Sequence, residues 1–251
     1  TQVAAHITRR YGMPWSRPAA RMREYVAALK TIWNSWQTGE RLDFRGDFYT
    51  HTLMPPPFSA GPLGCSAPRV LLAAVGPRML RVAAEVADGL ILHPLTSISY
   101  RDDVVLPSVA SARAQLAPDS PFELSAMVLV ATGGTEEELA RAIQLTRMQI
   151  AFYSSTPAYA PVLEHHGWGD LHREAHACMA RGDYLALSSL VDDEVLSTFA
   201  ALGGPAEVAE QLQTRFAGVV DRVTLTLPLP SGEDAVAILD AISRRTEEGT
   251  Q

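Results

Sequence analysis

The sequence predicts an α/β fold built around a parallel sheet, and three observations carry that prediction. The run Arg69 to Val75 is continuously apolar after its first residue, as in a strand buried on both faces. Gly76-Pro77 stops the run, and Met79, Val82, Ala83, Val86 and Ala87 then recur at helical spacing. Asp88-Gly89 ends the helix, and Leu90 to Leu92 supplies a second buried strand. Strand, helix and strand joined by short connections form a right-handed parallel unit, whose ligand end lies at the carboxyl ends of its strands. Here that end falls near Ala74-Val75-Gly76 and His93.

The other elements follow in chain order. Residues Thr1 to Ala20 read as irregular. A helix is predicted from Arg21 to Trp36, with Met22, Tyr25, Val26, Leu29, Ile32, Trp33 and Trp36 on one face, and Thr38-Gly39 as its end. Leu42, Phe44, Phe48 and Tyr49 flank Arg45-Gly46-Asp47, a β-hairpin pattern. Met54 to Pro68 is rich in proline and reads as a surface loop. After Pro94, a helix is predicted from Tyr100 to Leu116 and a third buried strand from Leu124 to Ala131. Thr135 with Glu138 forms a capping box for a helix reaching Phe152. Tyr153 to Thr198 reads as an insertion of short helices. Gly203-Gly204-Pro205 opens another helix, Arg222 to Leu227 is the fourth strand, and Ser231 caps a last helix to Arg244. Four parallel strands suit either an open sheet or part of a closed barrel.

The chain has 251 residues, 47% of them hydrophobic, enough for one sizeable core. Its formal net charge of -7 argues against nucleic acid as a partner, because phosphate binding needs a basic patch. Two cysteines, Cys65 and Cys178, are too few for a disulfide framework, which makes the cytoplasm the expected location. No apolar run approaches the ~20 residues of a membrane span, so no membrane partner is expected.

Four stretches together resemble one family. They are R-x-x-E-Y-V-x-x-L-K-x-I-W (Arg21 to Trp33), F-R-G-D-F-Y (Phe44 to Tyr49), L-L-A-A-V-G-P-R (Leu71 to Arg78) and A-D-G-L (Ala87 to Leu90). In this order and spacing the chain resembles the luciferase-like monooxygenase superfamily, and within it the oxidoreductases that use the deazaflavin coenzyme F-420. The resemblance implies a (β/α)8 TIM barrel, present as its C-terminal portion with about four parallel strands and a helical insertion at about 153–198. It implies one barrel domain over 1–251 and places the helix at Arg21 after the fourth barrel strand. The expectation is therefore that the first strands, with their ring-contacting and catalytic residues, lie upstream of Thr1.

The resemblance also nominates site residues. Ala73, Ala74, Val75, Gly76 and Pro77 match the family's strand end and turn beside the cofactor. A glycine turn that opens a helix offers free N–H groups and the positive end of a dipole to an anionic tail. A tight turn that simply requires glycine is the rival reading of Gly76. Arg78 would add a cation. His93, at a strand's carboxyl end, is a candidate for both catalysis and cofactor contact; Thr96 on the same loop is a cofactor candidate, and with Ser97 it could bind cofactor or substrate oxygens. Thr1, Gln2 and His6 match the loop after the fourth strand, with Thr1 as a cofactor contact and Gln2 and His6 as catalytic candidates. His165, His166, His172, His176 and Cys178 cluster in sequence, but His172 to His176 is not H-E-x-x-H, and no metal is expected.

The function implied is hydride transfer between reduced F-420 and a small organic substrate. One alternative is a two-component monooxygenase that receives reduced FMN from a separate flavin reductase. Another is a non-catalytic truncated barrel acting as a binding or interaction protein. Exposed sheet edges at Arg69 to Val75 and Arg222 to Leu227 lead to the expectation of a homo-oligomer or of a missing N-terminal segment that covers them.

Overall fold

In the computed structural model the described residues are 4–116, 120–226 and 232–248. One π-helical turn, His6–Arg10, precedes the helix α1, Pro18–Thr38. The hairpin strands β1, Phe44–Arg45, and β2, Thr50–His51, come next. They are followed by β3, Leu71–Ala73, α2, Pro77–Val86, and β4, Gly89–Leu92. A short helix α3, Ile98–Tyr100, runs through a π-helical turn, Arg101–Val105, into α4, Leu106–Leu116. Strand β5, Glu123–Ala131, and helix α5, Glu136–Ser154, lead to α6, Ala160–His165, α7, Gly169–Arg181, α8, Tyr184–Ser189, and α9, Asp193–Phe199. The chain continues through β6, Ala200–Leu202, α10, Pro205–Phe216, β7, Arg222–Thr226, and α11, Gly232–Glu248. The predicted cap Ser231 and the last predicted strand residue, Leu227, lie outside the described residues. Among the described residues no helix is long and apolar enough to cross a membrane.

The chain divides into two compact units. One holds Thr1–Leu90 and Ser108–Glu123, the other Ile91–Pro107 and Leu124–Gln251. In the first, α1 packs on α2. The buried face of α2 is Leu80, Val82, Ala83 and Ala84, rotated from the predicted stripe, with Met79 and Val86 only half-buried. Tyr25, placed by periodicity on the inner face of α1, is instead 50% exposed.

Two of the family-like stretches meet on a single carboxylate. Glu24 on α1 accepts the backbone N–H groups of Asp47, Phe48 and Tyr49 at 2.9, 2.7 and 2.6 Å. A Cβ on Gly46 would lie 2.2 Å from Glu24 Oε1, so glycine there makes room for the carboxylate. Hydrogen bonds to a charged group are the strong ones. Glu24→Gln, which leaves one neutral oxygen for three donors, is expected to lower stability by about 2 kcal/mol. Urea unfolding checks this, and a loss under about 0.5 kcal/mol, the level of an ordinary surface change, would remove the carboxylate from the account.

Asp88 holds the heads of the neighbouring strands in this unit. Its carboxylate accepts the Val70 N–H at 2.8 Å and Lys30 Nζ at 2.7 Å, while its own N–H donates to Val70 O at 2.7 Å. Its carbonyl accepts the Glu123 N–H at 2.9 Å. Arg69 adds an ion pair to Glu123 at 2.8 Å.

In the second unit β5 is the central strand. Leu129 to Ala131 pair in parallel with Ala200 to Leu202, and Ser125 to Leu129 with Arg222 to Thr226. The strand β6 joins the about four parallel strands read from the sequence, where it was not singled out. Its three residues, Ala-Ala-Leu, lack the β-branched signature and follow α9 without a break. The arrangement seen at Asp88 recurs: Asp221 Oδ2 accepts the Leu124 N–H at 2.7 Å, and the Asp221 N–H donates to Leu124 O at 2.8 Å. The predicted capping box is present, with Thr135 Oγ1 accepting from Glu138 N and Glu138 Oε2 from Thr135 N.

The helix predicted from Tyr100 to Leu116 is broken by a π-helical turn at its start. Pro107 has no N–H for the Asp103 carbonyl and its ring crowds the preceding turn, so a widened turn accommodates it.

Candidate functional site

In the first unit, Ala73 to Pro77 form the end of β3 and the entry to α2. Ala74 is 7% exposed, while Ala73, Gly76, Pro77 and Arg78 are exposed. Gly76 has φ -79° and ψ 155°, extended backbone open to any residue, and a Cβ there would meet nothing within 4 Å. Neither conformation nor packing therefore requires glycine, which removes the tight-turn reading of this position. No side chain caps the N-terminus of α2, and Pro77 occupies its first turn. The exposed start of the helix presents its positive dipole end to whatever lies beyond it.

In the second unit, His93 follows the last residue of β4. Its ring stacks on Tyr159 with centroids 4.3 Å apart and meets Tyr153 edge-on at 4.6 Å. His93 Nδ1 accepts the Leu95 N–H at 3.1 Å, and Nε2 lies 3.0 Å from Tyr159 Oη. A ring nitrogen that accepts carries no proton, so neutral His93 holds its proton on Nε2 and donates it to Tyr159. Burial pushes the His93 pKa down to about 4, which keeps the ring neutral near pH 7. Burial raises the Tyr159 pKa, with nearby Tyr153 adding to the effect, so Tyr159 keeps its phenolic proton.

The same loop carries Thr96, whose N–H donates to His93 O at 2.9 Å, and Ser97, 2% exposed. Ser97 Oγ accepts the Tyr100 N–H at 3.1 Å as the cap of α3 and lies 2.7 Å from His166 Nε2. His166 stacks on Trp168 at 4.4 Å. Burial, then the neighbouring His165, lowers its pKa, with Glu194 opposing.

The other histidines of the sequence cluster have structural partners. His172 Nδ1 lies 2.7 Å from Ser154 O and His176 Nδ1 lies 3.0 Å from Ser155 O, so both tie α7 to the end of α5.

Of the remaining site candidates, His6 lies in the first π-helical turn, half-buried, while Thr1 and Gln2 lie outside the described residues. Sequence reasoning found His93 and the loop of Thr96 and Ser97, took His166 only as one of a run of histidines, and missed Tyr153 and Tyr159. The available signal was Tyr153 and Tyr159 flanking a proline turn at Pro157. Two cavities open in the first unit, of about 690 and 320 Å³. The smaller is apolar and lined by Met13, Trp15, Met22, Tyr25 and Tyr49, and neither is lined by a predicted site residue.

The model of the luciferase-like monooxygenase family matches residues 1–222. The chain belongs to the luciferase-like monooxygenase family. An uncharacterized protein of Mycobacterium tuberculosis is 50% identical over 224 residues, covering 89% of this chain and 66% of that protein. Among solved structures, the coenzyme F420-dependent tetrahydromethanopterin reductase of Methanopyrus kandleri superposes with TM-score 0.66 at 21% identity, covering 90% of this chain and 63% of that one. The EDTA monooxygenase of Chelativorans sp. BNC1 superposes with TM-score 0.69 at 18% identity, covering 98% and 64%. These likenesses show the fold, that of the luciferase-like barrel enzymes. The family member described here spans about two thirds of the length of the relatives it matches.

Proposed function

We propose that the chain is part of an oxidoreductase that uses coenzyme F-420 for hydride transfer with a small organic substrate. The observation that carries the reading is Gly76: glycine stands where neither backbone nor packing asks for it, on the exposed, uncapped start of a helix at a strand's carboxyl end. A ligand that must approach the backbone closely supplies the missing reason. Ala73, Ala74 and Val75 would line the strand end. The N–H groups of Gly76 and Arg78 and the Arg78 guanidinium would face the acidic tail of the coenzyme. Bound there, the coenzyme supplies the hydride chemistry, and the protein supplies binding, orientation and electrostatics.

Fluorescence titration of the protein with F-420, and in parallel with FMN, tests the reading. Gly76→Val is expected to weaken F-420 binding by about tenfold or more, equivalent to ~1.4 kcal/mol. Its melting temperature should stay within about 2 °C of the wild type, because the added side chain enters open space. Unchanged F-420 affinity in that variant would sink the reading. Tight FMN binding without F-420 binding would move the assignment to the FMN-dependent monooxygenases of the family.

A further inference from the structure

We propose that the apolar cavity of about 320 Å³ in the first unit binds a planar aromatic carboxylate, with Arg21 holding the anion. The site lies wholly within that unit and does not depend on the coenzyme reading. Its walls include Met13, Trp15, Met22, Tyr25 and Tyr49, and Arg21 is the one charged side chain among its described lining. Met13, Trp15 and Tyr25 are 59%, 39% and 50% exposed. Single exposed apolar side chains are ordinary, but several lining one concavity form the surface that a ligand removes from water. The backbone shapes the concavity. The Met13 N–H donates to Ile7 O at 3.0 Å. Arg17 takes φ 37° and ψ 59°, a left-handed conformation that strains any residue with a Cβ, and turns the chain from Trp15 into α1. Tyr25 and Tyr49 meet edge-on with ring centroids 5.8 Å apart.

Charge selects the ligand. Residues 4–23 hold five arginines and no acidic residue, in a chain of formal net charge -7. Arg17 is paired with Asp47 at 3.2 Å, and Arg23 with Glu85. Arg21 meets only neutral partners among the described residues: Ser16 Oγ at 2.9 Å and the face of Phe48 at 4.4 Å. A half-buried guanidinium on an apolar wall, with no carboxylate of its own, is completed by an anion from outside. Its planar fork matches a carboxylate, which can take two parallel N–H bonds. The rings of Trp15, Tyr25 and Tyr49 favour a flat aromatic body, and the sulfurs of Met13 and Met22 pack well against ring edges.

Calorimetric titration with 2-naphthoate tests the proposal, with 2-naphthamide as the uncharged comparison and octanoate as the non-aromatic one. The wild type is expected to bind 2-naphthoate with a Kd below about 1 mM and each comparison about tenfold more weakly or less. Arg21→Gln should weaken 2-naphthoate about tenfold while leaving 2-naphthamide within about twofold, a split that general loss of structure would not produce. Trp15→Ala should weaken both naphthyl compounds by similar factors. In the wild type the methyl NMR signals of Met13 and Met22 should shift on addition of 2-naphthoate. Gly76→Val should bind 2-naphthoate like the wild type, which separates this cavity from the candidate coenzyme turn. Absence of 2-naphthoate binding, equal affinity for any comparison compound, unchanged affinity in Arg21→Gln, methionine signals that stay in place, or loss of binding in Gly76→Val would each overturn the proposal. A dimer in sedimentation velocity that Trp15→Ala dissociates would overturn it as well, by giving the groove to a second copy of the chain.

Discussion

Gly89→Ala is expected to destabilise the protein by about 3 kcal/mol, the upper range for forcing atoms into a filled interior. A Cβ at position 89 would lie 2.4 Å from the carbonyl oxygen of Glu123 and 3.0 Å from both Glu123 Cβ and Leu71 Cγ. The nearest of these atoms is backbone, fixed by the bond from Glu123 N to Asp88 O at 2.9 Å, so no rotamer change relieves the clash. Glycine is here the condition for two strands to lie side by side. Gly76→Ala is the natural control. It should be neutral or stabilising by up to about 1 kcal/mol, because alanine restricts the unfolded chain without straining the folded one. Urea denaturation of the two variants should separate them clearly, and equal midpoints would refute the packing account of Gly89.

Acidification from pH 7 to 4 should withdraw roughly 3 kcal/mol of stability through His93 alone. Its folded pKa is depressed from 6.5 to about 4 by burial, so between those values the unfolded chain binds a proton that the folded chain refuses. Stability therefore falls as pH drops below 6.5 and levels off near pH 4 as far as this residue is concerned. The geometry agrees with the direction, since a second ring proton would have to displace the Leu95 N–H from Nδ1. His93→Gln, which does not titrate, should lose this part of the pH dependence. Urea midpoints of both proteins at pH 7, 5.5 and 4 measure it, and parallel curves would show that His93 titrates normally.

Where local chemistry decides, the sequence was readable. The box of Thr135 and Glu138, the helix opened by Pro77 and the long apolar strand β5 each follow from a few adjacent residues. The strand β6 was invisible because its pairing to Leu129, Val130 and Ala131 comes from distant chain, not from its own composition. The same holds for the site. Gly76 and His93 stand out by position at strand ends, but Tyr159 reaches His93 across 66 positions, and no spacing rule spans a helical insertion. Three of the four family-like stretches, all but Leu71 to Arg78, proved to be largely architectural. Glu24 and Gly46 complete one contact, while Lys30, Asp88 and Gly89 serve another.

The aspartates that precede β4 and β7 have a wider meaning. Asp88 grips Val70 and Asp221 grips Leu124, each through one side-chain and one main-chain bond at the amino end of a parallel strand. Strand register is thereby secured at the end remote from the candidate chemistry. The loops at the carboxyl ends, including His93 to Ser97, are relieved of that duty. Substitutions in those loops are therefore expected to leave strand register intact, because the carboxylates at the opposite end keep the strands aligned.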